Sequence, residues 1–352
     1  MMDSKIRSAL DAGVVIPACP LALNEQRQFD ERRQRALIRY YHAAGAGGLA
    51  VAVHTTQFAI RDPKHGLLEP VLALAADELS RADESRPTPM IRVGGLCGQT
   101  DQAVREAAIL NRLDYHCGLL NLGAMKGASD DALERHCRAV ADVIPVFGFY
   151  LQPGVGGCVL PYSFWRRFAE IENVIAIKIA AFDRYETIDV IRALAEAGRD
   201  DVALYTGNDD NIVMDLLTPY RFDVNGTKVE RRFNGGLLGH WAVWTKRAVE
   251  ILTECQAIVR RNDPVPQELL RLANEVTDCN AVLFDASNGY HGCIPGIHEI
   301  LRRQGLLAGN WCLNPEEQLS PGQLENIDRI CRAYPHLTDD TFVTEHLDEF
   351  FQ

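Results

Sequence analysis

Lys178 stands inside the apolar run NVIAIKIAAF, residues 173–182, where an unpaired ammonium is costly to bury. A period of two puts Val174, Ala176, Lys178 and Ala180 on one face of a strand and Ile175, Ile177 and Ile179 on the other. The small neighbours on the lysine's face leave room for a ligand. Desolvation disfavours the charged form, so a lysine in such a place is neutral often enough to attack a carbonyl, and the resulting imine is an electron sink. The same lysine would equally serve in an internal ion pair, with Asp209 of LYTGNDD as a partner.

Two further clusters fit carbonyl chemistry. VFGFYLQPG alternates Val146, Gly148 and Tyr150 on one face, and a phenol at the end of that strand would pass protons as a general acid and base, or sit in the core as an ordinary tyrosine. VAVHTTQ ends in Thr55 and Thr56, whose hydroxyls and successive amides make a cradle for a carboxylate or simply cap a turn. Asp209 and Asp210 lack a third nearby ligand, so no metal site is assigned. His291 and His298 match no metal spacing and are expected in structural or surface roles.

The elements that would hold these side chains are short β-rich runs beginning at 13, 48, 89, 115, 143, 174, 202 and 221, the last being RFDVNGT. Helical periodicity fills most of the gaps, as in FDERRQRALIRYYHAAGAGG, which predicts a helix from near Asp30 to near Gly45. Strands alternating with helices imply parallel pairing through right-handed crossovers. Eight such units close into a TIM (β/α)8 barrel of about 250 residues; an open doubly wound sheet is the alternative. The barrel is expected over residues 1–255, with a C-terminal helical extension over 256–352. GGLCG at 94–98 predicts a tight strand-to-helix turn, and NGGLLGH at 234–240 a helix start with glycine caps.

Composition narrows the partners. Lys and Arg total 36 against 48 Asp and Glu, a net charge of -12 that repels phosphate backbones and excludes nucleic acid as the natural partner. No window offers the roughly 20 apolar residues of a membrane span, and no leader pattern opens the chain, so a cytoplasmic protein is expected. Ten cysteines without a CxxC pair predict reduced, buried thiols.

On these residues the chain resembles the dihydrodipicolinate synthase and N-acetylneuraminate lyase family of pyruvate-dependent class I aldolases. AAGAGGLAVAVHTTQ is similar to the family's segment ending GTTGE, VFGFYLQPG to YNxPxR, VIAIKIAAFD to GxKxxxxD and LYTGNDD to SGDD. The resemblance implies that Lys178 forms the Schiff base and Tyr150 transfers protons. It implies that Thr55 and Thr56 hold the carboxylate, and that the backbone around Gly226, at the end of an eighth strand, lines the pocket. It also implies a homo-oligomer, tetramer or dimer, and no cofactor, since the iminium supplies the electrophile. LGAMKGAS lacks the family's relay tyrosine, and Val155 stands where an arginine would bind an aldehyde's carboxylate.

The expected function is a class I lyase acting on pyruvate or a related 2-oxo acid and an aldehyde. The reaction would be aldol cleavage, condensation, or dehydration of a deoxy-sugar acid. The alternatives are a barrel enzyme without imine chemistry, taking a phosphorylated ligand at its glycine-rich loops, and a non-catalytic 2-oxo acid binding protein. Arg61, Lys126, Lys228, Arg231 and Arg232 are expected near the active face, mostly as solvated surface charges.

Overall fold

The computed structural model describes residues 2–352. Its strands are β1 (Val15–Pro17), β2 (Gly48–Val51), β3 (Ile91–Leu96), β4 (Cys117–Asn121), β5 (Val146–Leu151), β6 (Val174–Ala180), β7 (Ala203–Thr206), β8 (Tyr220–Val224), β9 (Thr227–Arg231) and β10 (Gly235–Leu238). Eight of them are parallel in the order β1-β10-β7-β6-β5-β4-β3-β2, and β8 pairs only with β9. The ring closes where Ala18 bridges Ala50, with the Cys19 amide donating to the Ala50 carbonyl at 2.8 Å.

Helix α1 (Ser4–Ala12) precedes the barrel. The remaining barrel helices are α2 (Glu31–Ala43), α3 (Leu68–Asp83), α4 (Thr100–Arg112), α5 (Asp130–Ala141), α6 (Tyr162–Phe168), α7 (Arg184–Glu196), α8 (Ile212–Leu217) and α9 (Thr245–Arg261). Their starts follow side-chain capping: Asp30, Ser129 and Asp183 accept backbone N–H groups at the N-termini of α2, α5 and α7. The chain is therefore a (β/α)8 barrel carrying a helical extension.

The expected eighth strand is a different element. RFDVNGT forms the first strand and turn of the antiparallel β8–β9 hairpin, with Asn225 and Gly226 at φ 53 and 83, the left-handed pair that a tight hairpin turn requires. Gly226 is exposed at the tip of this hairpin, outside the barrel wall, and the hairpin packs on α7. The barrel strand is β10, within the stretch expected to start a helix. A Cβ at Gly236 would lie 2.6 Å from the Trp241 ring, so β10 is glycine-rich because a large side chain occupies the adjoining space.

The inner and outer faces are set by register. Phe149 pairs with Lys178 across β5 and β6, so the two point the same way, and Phe147, Phe149 and Leu151 fill the barrel interior. Val146, Gly148 and Tyr150 face the helices, and a Cβ at Gly148 would meet the Phe168 ring of α6 at 2.7 Å. Val146 and Phe147 pair with Val174 and Ala176, leaving Ile175 as an extra residue on β6. This bulge turns Ile175 inward and Val174 outward, opposite to the simple alternation, while Ala176, Lys178 and Ala180 keep the inner face.

Ile6 and Leu10 of α1 pack with Ile16, Phe147 and Tyr205 inside the barrel. The Tyr205 hydroxyl donates to the Leu10 carbonyl at 2.9 Å, which fixes α1 across that end. Helix α9 runs through residues 255 and 256, and the extension continues as α10 (Gln267–Leu283), α11 (Cys293–Arg303), α12 (Gln323–Ala333) and α13 (Asp340–Phe350). Helix α10 packs on α8, and α13 on α2. Asp339 accepts from the Tyr40 hydroxyl at 2.7 Å and from the Lys246 amide at 3.0 Å, tying α13 to α2 and α9. No helix among the described residues is long and apolar enough to cross a membrane.

Candidate active site

Lys178 projects from β6 into a cavity at the carboxyl ends of the strands, where the empty space is about 500 Å³ with the open solvent at its mouth included. Its aliphatic stem passes over Gly207, where a Cβ would stand 2.5 Å from Cε and 2.9 Å from Cγ. Glycine after β7 is thus what lets the lysine extend. The ammonium lies 4.5 Å from the centroid of the Phe149 ring, and among the described residues it has no carboxylate within 4.0 Å.

Asp209 lines the same cavity and is buried, its carboxylate accepting the His240 amide at 2.8 Å. Burial pushes the Lys178 pKa down, and the charge of Asp209 only partly restores it. Burial likewise pushes Asp209 up, opposed by the positive charge of Lys178. The two groups are drawn toward each other in proton affinity, so both forms of each are accessible near neutrality. His54 also lines the cavity, held neutral by burial and then by Lys178, which together push its pKa down to about 4.

Thr55 and Thr56 occupy the turn after β2. Their hydroxyls donate to the Ala18 and Cys19 carbonyls at 2.8 and 2.7 Å, so both protons are committed to the end of β1. Thr55 borders the cavity, whereas Thr56 is buried behind it.

Tyr150 is not in this cavity. It lies on the outer face of β5, its ring stacked on Trp165 at 5.6 Å and its hydroxyl accepting the Leu160 amide at 3.3 Å. Burial first, then Glu186, raises its pKa. The expected proton-transfer phenol is a core residue, because Gly148 and Tyr150 share the face that seats α6. Tyr150→Phe is expected to change turnover less than twofold and to cost about 1 kcal/mol of stability, the usual net value of one hydrogen bond; steady-state kinetics and urea unfolding check both. Gly226 is likewise outside the cavity, on the hairpin.

Four of the five candidate cations are engaged elsewhere. Arg61 is half-buried, paired with Glu106 at 3.0 Å, and donates to the Ala52 and Gly95 carbonyls. Arg231 donates to the Arg199 and Val202 carbonyls, Arg232 pairs with Glu230, and Lys228 pairs with Asp223 on the hairpin. Lys126 is exposed in the loop after β4. Val155 does border the cavity. His298 is buried, with its ring nitrogen Nδ1 against the Trp311 carbonyl at 3.1 Å, and His291 is exposed.

The remaining walls include Phe284 and Cys293, which belong to the extension. Phe284 sits over Gly239 at the end of β10, where a Cβ would come within 2.7 Å of its ring. The extension is held in place by Thr277, which donates to the Asp210 carbonyl at 2.9 Å, and by the Leu313 amide, which donates to the Gln57 side chain at 2.6 Å.

No protein-family model matches the chain, and no curated protein matches it by sequence. Solved structures do. Dihydrodipicolinate synthase from Oceanobacillus iheyensis superposes with a TM-score of 0.74 at 14% identity, over 95% of this chain and 100% of its own. N-acetylneuraminate lyase from Fusobacterium nucleatum gives 0.70 at 18%, over 93% and 99%.

The chain has the dihydrodipicolinate synthase fold.

A third structure of that fold is a prophage protein of the dihydrodipicolinic acid synthase family from E. coli K12, in complex with pyruvate. It gives 0.71 at 17% identity, over 94% of this chain and 99% of its own. At such identities the likeness concerns the path of the backbone. On the dihydrodipicolinate synthase fold this chain sets its own side chains, an inward Phe149 and an outward Tyr150 among them.

Proposed function

We propose that this protein is a Schiff-base-forming lyase that takes pyruvate or a related 2-oxo acid on Lys178. The observation that carries the reading is a buried lysine, free of any close carboxylate, facing a cavity at the active end of a barrel. The pyruvate complex of a protein with the same fold supports the choice of ligand.

The neutral amine attacks the keto carbon, and the carbinolamine then loses its hydroxyl as water with a proton from a neighbouring acid. Asp209, raised toward neutrality, is suited to give that proton and to take one back. The iminium draws electrons from the bond beyond the α carbon, which permits aldol cleavage, its reverse, or loss of a β-hydroxyl. With Tyr150 in the core, proton exchange at the α carbon falls to Asp209 and to neutral His54. The partners are a small 2-oxo acid and an aldehyde.

The test is incubation with pyruvate and sodium borohydride, then intact mass and peptide mapping. One reduced adduct per chain, on Lys178, is expected. No adduct with pyruvate or longer 2-oxo acids overturns the reading. An adduct without turnover on any aldehyde or sugar acid would favour the 2-oxo acid binding protein instead.

The pH dependence comes from the same pair. An exposed lysine loses its proton near pH 10.4, and burial brings Lys178 well below this. The rate of trapping should therefore rise with pH and level off well before pH 10. The charge of Asp209 holds the Lys178 pKa up, so Asp209→Asn should move the midpoint to lower pH still; a midpoint that moves up contradicts the pairing.

A further inference from the structure

We propose that the part of the substrate lying beyond the reacting carbonyl is an aryl or branched alkyl group, neither polyhydroxylated nor charged. This rests on the Schiff-base reading for the position of the carbonyl, and on the cavity walls for everything else.

The apolar walls of the cavity include Phe149, Leu151, Val155, Phe182 and Phe284. Lys178 and Asp209 are the only charged side chains among the described residues that border the space, and both are used at the carbonyl. A second carboxylate would meet Val155 rather than a guanidinium. Arg61, the half-buried arginine after β2, already has its carboxylate in Glu106 and two carbonyls. A chain of hydroxyls would leave water without gaining partners along these walls.

The polar groups that remain suit the other end of the ligand. The side-chain amide of Gln152 borders the cavity, and its Nε2 is buried with no partner. Together with the neutral ring of His54, which also borders the cavity, it can receive a carboxylate. The lining thus offers Lys178, Asp209, Gln152 and His54 to a 2-oxo acid head, and aromatic and branched side chains to the tail of the molecule. Phe284 completes the apolar side from the extension, seated in the space that Gly239 leaves. Edge and face contacts with Phe149, Phe182 and Phe284 favour a flat ring over a flexible chain.

The experiment compares borohydride trapping of pyruvate, 4-phenyl-2-oxobutanoate, 2-oxoglutarate and 2-oxo-3-deoxygluconate over a range of concentrations. The phenyl compound is expected to half-saturate trapping at a concentration about tenfold or more below the dicarboxylate and the polyol, the discrimination of an apolar pocket. Equal or better trapping of either polar compound overturns the proposal while leaving the imine established. If nothing traps, the Schiff-base reading fails, and calorimetric titration with 4-phenylbutanoate and with gluconate decides the cavity's preference. Binding of 4-phenylbutanoate alone supports the apolar walls, and any other result overturns them.

Val155→Arg supplies the internal control. It is expected to shift the ratio of 4-phenyl-2-oxobutanoate to 2-oxoglutarate trapping about tenfold toward the dicarboxylate. Both ligands are read on one sample, so partial unfolding cancels. An unchanged ratio means these walls do not face the substrate, and the proposal falls.

Discussion

Lys178→Ala is expected to abolish the borohydride adduct and to lower turnover on the order of 1,000-fold or more, the scale on which removal of a covalent nucleophile is felt. On the proposed mechanism burial is what makes the lysine reactive, and the same burial limits what its loss costs the fold. The ammonium gives up hydration without a close counter-ion, so removing it relieves a desolvation penalty. Lys178→Met, which keeps the stem, should lose activity equally and fold as well as the parent at mildly acidic pH, where Asp209 is protonated.

The partner carboxylate adds a second signature. In the parent protein the charge of Lys178 holds the raised Asp209 pKa down; in Lys178→Met that restraint is gone and the folded-state pKa climbs further. A carboxyl raised above its unfolded value contributes stability that is fully present below the unfolded pKa and lost as pH rises through the folded one. The melting temperature of Lys178→Met should therefore fall with rising pH through the near-neutral range more steeply than that of the parent. A flat profile would mean that Asp209 does not share the lysine's enclosure.

Gly207→Ala carries the second large effect. Its Cβ would stand 2.5 Å from Lys178 Cε and 2.8 Å from Ala180 Cβ, too close for either to remain. The lysine stem is the part that can move, and a displacement of about 1 Å from the productive position costs on the order of 100-fold. Trapping should slow by that factor with little change in far-ultraviolet circular dichroism. Gly226→Ala is the comparison, since nothing lies within 4 Å of its Cβ position. Its strained φ of 83 lowers stability by about 1 kcal/mol, and the rate of trapping should not change.

The same residues show what was legible in the sequence. Seven of the eight barrel strands stand out because bulky apolar residues alternate with small ones between capped helices. The eighth was hidden because close packing demanded glycine: Gly235 faces the backbone of Val14 and Gly236 faces Trp241, so β10 lacks the branched residues that announce a strand. RFDVNGT took its place as a candidate, although its Asn-Gly pair is a hairpin signal that excludes a parallel barrel strand.

Lys178 was legible because its charge contrasts with its surroundings. The orientation of β5 was not, because alternation divides a strand into two faces without saying which is inner. The pairing of Phe149 with Lys178 supplies that information, and Gly148 is the local clue, since a helix-facing position beside a phenylalanine of α6 requires a small residue. Phe284 and Cys293 carry no signal of their own; they reach the cavity only through the tertiary placement of α10 and α11.

That placement sets an order of events in the making of the protein. On the ribosome the barrel strands emerge first, and the cavity around Lys178 then still lacks the walls that Phe284 and Cys293 supply. Those walls are in place only once Phe284, and after it Cys293, have left the exit tunnel and docked. On the proposed mechanism, the nucleophilic lysine therefore depends on residues made more than 100 positions after it.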